Sequence, residues 1–145
     1  MSQRPQPNNP VGNSGTRPPP FALAELSERC MGNAAVATLL LDKFESQLRG
    51  DIREIEQRLA ARDAPQIAST AHALKGAAGA VAAPALRDLA AEIEALARQG
   101  KLESIAQDLS ALRTEVERCL GYLPAARTTL GSGVGRGPAE RQTAR

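Results

Sequence analysis

From about residue 21 to residue 120, the hydrophobic positions of this chain recur in steps of three and four, the period of helices that bury one face. Phe21, Leu23, Leu26, Cys30 and Met31 follow the Pro18 to Pro20 run and predict a short helix ending at Gly32, placed to cap one end of a core. Asn33 is suited to N-cap the next segment, in which Leu41, Phe44, Leu48, Ile52, Ile55 and Leu59 hold the period to about Arg62. Gly50 interrupts this long segment and marks either a bend or a break. Asp63 and Pro65 open a third helix whose seam is Ile67, Ala71, Leu74, Ala78 and Val81. Pro84 opens a fourth, carried by Leu86, Leu89, Ile93 and Leu96 and closed by Gly100. Leu102, Ile105, Leu109, Leu112, Val116 and Leu120 form the apolar face of the last. No segment alternates with period two. The expected fold is all-α, an antiparallel up-down-up-down four-helix bundle preceded by the short capping helix.

The bundle is expected to span residues 21–123. Residues 1–20 and 124–145 are rich in Pro, Gly and small polar residues and lack an apolar period, which predicts disordered tails. No secretory stretch or membrane span is read from the sequence, so the expectation is a cytoplasmic protein, acting as a monomer. Charge sharpens the division. Residues 21–123 hold 12 Lys or Arg against 15 Asp or Glu, while the two ends hold 6 Arg and 1 Glu, so the overall +2 comes from the tails. A basic balance of that origin is poor support for a folded surface that binds DNA or a membrane. Phe21, Phe44 and Tyr122 are the whole aromatic set, which also argues against stacking on single-stranded nucleic acid. Cys30 and Cys119 fall on apolar helix faces and are expected to be buried free thiols.

The candidate chemistry lies in the third helix, in the stretch TAHALKGAAG. His72, the single histidine, shares a stripe with Lys75, Gly76 and Gly79 at i, i+3, i+4 and i+7, about 100° from the buried seam. Each glycine costs a helix roughly 1 kcal/mol relative to alanine, so two on one exposed stripe imply a need for clearance around the imidazole. On the next helix, Arg87, Ala91, Glu94 and Arg98 form the stripe beside the seam. One register brings Glu94 and Arg98 near His72; a one-turn stagger brings Arg87 and Glu94 instead. Without the glycines and lysine, a lone helical histidine would be read as structural. A metal site is disfavoured by one histidine and two dispersed cysteines. Hydrolysis lacks a Ser or Cys nucleophile at fixed spacing, with Ser69 read as lying on the far side of its helix.

AHALKGAAG, continued by AVAAPALRDLAAEIEALARQG, resembles the histidine phosphotransfer (HPt) domain, whose motif reads roughly H-x-L-K-G followed by small residues. The likeness runs from about Leu26 to Leu120. It implies a phosphoryl carrier in a two-component phosphorelay and not a kinase, with His72 as phosphoacceptor through Nε2, Lys75 facing the phosphoryl oxygens and Gly76 keeping the approach open. Gly79, Glu94, Arg98 and Arg87 are supporting candidates. It also implies no cofactor on this chain, the magnesium ion residing on the receiver domain of a response regulator or hybrid sensor kinase that would be the partner. Two departures stand out: Ala82 where many members have glycine, and Glu94 where several carry a glutamine that bonds the imidazole. The competing class is a helical adaptor or inhibitor that binds a receiver or kinase without carrying phosphate.

Overall fold

The computed structural model describes residues 18–132. They form α1 (Leu23–Arg29), α2 (Ala34–Ala60), α3 (Ala64–Ala80), α4 (Pro84–Arg98) and α5 (Leu102–Gly131). α3 packs between α2 and α4, and α5 closes the ring by packing on both of them. This is the expected four-helix bundle, and the described residues contain no strand.

Local chemistry sets where each helix begins. Asn33 accepts a hydrogen bond from the Val36 N–H at 3.1 Å, and Asp63 accepts one from the Gln66 N–H at 3.3 Å. Pro65 and Pro84 occupy first turns, where a missing N–H costs nothing. The four turns between helices share one closure. An N–H reaches a carbonyl five residues back from Gly32 to Ser27, Asp63 to Arg58, Ala83 to Ala78 and Lys101 to Leu96, at 2.8 to 3.0 Å. The residue before each donor has a left-handed backbone: Met31, Arg62, Ala82 and Gly100, with φ of 55°, 56°, 58° and 72°. Ala82 therefore holds a conformation natural to glycine, at a cost of about 1–2 kcal/mol. The glycine common at this position in the resembling family has its physical reason in that backbone. The Ala82 carbonyl accepts the Ala22 N–H at 2.8 Å, fastening the start of α1 to the α3–α4 turn.

The core is aliphatic, with Leu41, Leu48, Leu74, Leu86, Ile93 and Leu112 among its fully buried members. The three aromatics gather at the end sealed by α1. Phe21 meets Phe44 edge-on, with ring centroids 5.8 Å apart, and lies 6.3 Å from Tyr122. Cys30 and Cys119 are both buried and free. Burial, and then the charge of Glu115, pushes the Cys119 thiol up to about 12, which keeps it unreactive.

One open alternative is resolved and one expectation is corrected. Gly50 does not break its helix, since α2 is continuous from Ala34 to Ala60. Residues 124–131 are not part of a tail, because α5 continues through Pro124 to Gly131. The proline forfeits one backbone bond, but packing outweighs it. Leu123, Ala126 and Leu130 are buried, and Arg127 reaches Asp42 and Glu45 on α2, each at 2.8 Å. Residues 1–17 and 133–145, the remainder of the expected tails, lie outside the described residues. Leu130 is 3% exposed, so Leu130→Ala should cost about 2–5 kcal/mol in urea unfolding, as a core truncation does, whereas a residue in a tail would cost nothing.

Candidate functional site

The site spans the interface of α3 and α4. α3 buries Ile67, Ala68, Ala71, Leu74 and Ala78, and α4 buries Leu86, Ala90, Ile93, Glu94 and Ala97. Glu94 is the one charged residue in those two sets, and its side chain is only 8% exposed. An ion withdrawn from water needs partners, and Glu94 has three. Lys75 Nζ lies 2.8 Å from Oε1. Arg98 donates to Oε2 through Nη2 at 2.5 Å and Nε at 3.2 Å. His72 Nδ1 lies 3.0 Å from the same oxygen.

The hydrogen bonds from Lys75, then Arg98, then His72 outweigh burial and hold the Glu94 carboxyl down to about 2. An ionised carboxylate has no proton to donate. The His72 contact therefore runs from Nδ1–H to Glu94, which leaves the lone pair on Nε2. The His72 side chain is 64% exposed, and Nε2 has no hydrogen-bond partner among the described residues. A fixed tautomer with an outward lone pair is the ground state of a nitrogen nucleophile.

The surface around the ring is open. A Cβ built at Gly76 would meet nothing within 4 Å, and one at Gly79 would only touch Arg87 Cδ at 3.9 Å. Neither glycine is required by the packing of the chain itself. Of the two registers left open by sequence, the structure adopts the one that joins His72 to Glu94 and Arg98. Arg87 lies instead against Gly79, with its guanidinium 3.4 Å from Asp88. Lys75 is engaged by Glu94, a pairing that spacing alone did not reveal.

One reading of position is corrected: Ser69, three residues before His72 on a continuous helix, shares its outer face and is exposed. One residue was missed. Arg29, from α1, donates to the Gly79 carbonyl and steadies the C-terminal end of α3. Its only sequence signal was a basic residue in a last turn. Among the described residues, no group of three or more His, Cys, Asp or Glu could hold a metal ion, and no helix is long and apolar enough to cross a membrane.

Residues 39–121 match the family model of the Hpt domain. Among solved structures, the chain is similar to histidine-containing phosphotransfer protein B (HptB) from Pseudomonas aeruginosa PAO1. That match has a TM-score of 0.66 and 26% identity, and covers 73% of this chain and 90% of that one. No curated protein matches it in sequence.

Because its ionised form is the one the fold stabilises, Glu94 contributes stability that is complete above its ordinary value of 4.5 and is lost as the pH falls toward about 2. A carbon-detected NMR titration of the Glu94 carboxyl should give a midpoint near that lower value. Glu94→Gln should flatten this part of the acid-unfolding curve; an unchanged curve would show that the three donors contribute no net stabilisation.

Proposed function

The chain belongs to the Hpt domain family, the phosphoryl carriers of histidine phosphotransfer in phosphorelays, and on that premise we propose that His72 is the residue that carries the phosphoryl group. The observation behind this reading is the geometry of the ring: Nδ1 is tied to an ionised carboxylate and Nε2 is turned to an open surface. The partner is the receiver domain of a response regulator or hybrid sensor kinase, and the chain meets it in the cytoplasm as a monomer.

In the transfer, the Nε2 lone pair attacks phosphorus in line with the departing aspartate oxygen. Charge builds on the three phosphoryl oxygens as they pass between donor and acceptor. Lys75, one turn from His72, turns part of its charge from Glu94 toward them, and Arg98 adds to the same field. Arg87 stands further along the approach, beside Gly79. The magnesium ion belongs to the partner's aspartate site, and nothing on this chain is needed to hold it. Gly76 provides clearance. A Cβ there would meet nothing within 4 Å in the free protein, and a longer side chain would stand between Nε2 and the incoming domain.

Phosphoryl transfer from a panel of phosphorylated receiver domains tests the assignment. The wild type should acquire an acid-labile, alkali-stable label that His72→Gln lacks; a label that persists in His72→Gln would refute it. No label from any receiver, while a control carrier accepts phosphate, would favour the adaptor reading. Clearance has a separate test. Gly76→Leu should leave the thermal midpoint unchanged or higher, since leucine improves helix propensity by up to about 1 kcal/mol. It should slow transfer by about tenfold or more through misplacement of the partner.

A further inference from the structure

Glutamine and glutamate differ in one respect that matters at Nδ1. A primary amide can accept a hydrogen bond through oxygen or, turned over, donate one through nitrogen, whereas an ionised carboxylate only accepts. Lys75 and Arg98 hold Glu94 in the accepting state, because the contacts at 2.8 Å and 2.5 Å oppose any transfer of the imidazole proton to the carboxylate. We infer that Glu94 is a positioning residue for release as well as for loading: it keeps the proton on Nδ1 of His72 after phosphorylation, so that the ring always departs as neutral imidazole. This inference rests on the assignment of His72 as the carrier.

In loading, the Nε2 lone pair forms the N–P bond while the P–O bond of the partner's aspartyl phosphate breaks and its electron pair returns to the aspartate carboxylate. The ring, neutral with hydrogen on Nδ1, becomes an N-phosphorylated imidazolium whose positive charge faces Glu94. In release, an aspartate oxygen forms the new P–O bond and the N–P pair returns to Nε2. With the Nδ1 proton retained, the leaving group is neutral imidazole. With it lost, the leaving group would be an imidazolate anion, and transfer would slow.

The charged groups facing the ring are Lys75 on α3 and Glu94 and Arg98 on α4. On the α2 side, Arg58 pairs with Glu54 and Asp63, and Asp51 accepts from Gln47. Neither set touches His72.

The protein is loaded with phosphoramidate, and transfer to one receiver domain is followed from about pH 6 to about pH 9, a range that starts near imidazole's ordinary value. The wild-type rate, normalised to a second carrier on the same receiver, should change by less than about twofold, while Glu94→Gln should fall by about tenfold or more as Nδ1 deprotonates. Ring ¹⁵N shifts of the phosphorylated wild type, which require no variant to fold, should show Nδ1 protonated throughout. Parallel pH profiles in wild type and Glu94→Gln, or loss of the Nδ1 proton in the phosphorylated wild type, would overturn the inference. Label on His72→Gln would instead overturn the carrier assignment beneath it.

Discussion

Everything at the site follows from how closely α3 and α4 pack. Their shared interface is the most extensive in the bundle, and many of the residues the two helices bury are alanine: Ala68, Ala71 and Ala78 on one helix, Ala90 and Ala97 on the other. Small side chains let two helix axes approach, and close axes carry their flanking stripes within hydrogen-bond reach. Bulkier residues at those positions would hold the same His72 and Glu94 apart, each solvated separately. Small buried side chains on both helices are consistent with the close packing that brings the two stripes together.

Burying a carboxylate in that interface has an electrostatic consequence. Glu94 loses most of its water, and the fold answers with a lysine, an arginine and an imidazole N–H. Removing one partner from such a set leaves charge exposed to a low dielectric, so the members depend on one another. The same arrangement gives the histidine its direction, with the proton inward and the lone pair outward. Structure and reactivity at this position share a single cause.

The turns show a different kind of constraint. Four of them close with the same six-residue hydrogen-bonded loop and each needs a left-handed residue, yet only two carry a left-handed glycine, Gly32 and Gly100, that would announce it. Met31, Arg62 and Ala82 accept the strained backbone because helix packing on either side fixes where the chain must reverse. Ala82 also offers its carbonyl to Ala22, so the strained turn anchors α1. Pro124 follows similar logic: its local preference to end a helix yields to Leu130 and to the Arg127 ion pairs with α2.

The sequence by itself determined the number of helices, their seams, the single histidine and its stripe of lysine and glycines, because these depend on period, capping chemistry and residue type along one chain. It also narrowed the neighbours of His72 to two registers. Tertiary structure alone decided between them, engaged Lys75 with Glu94, set Arg87 aside over Gly79 and carried α5 eight residues past its predicted bundle limit at 123. Those outcomes depend on the stagger and separation of helices. Side chains on several elements set them together, and no window along one helix contains that information.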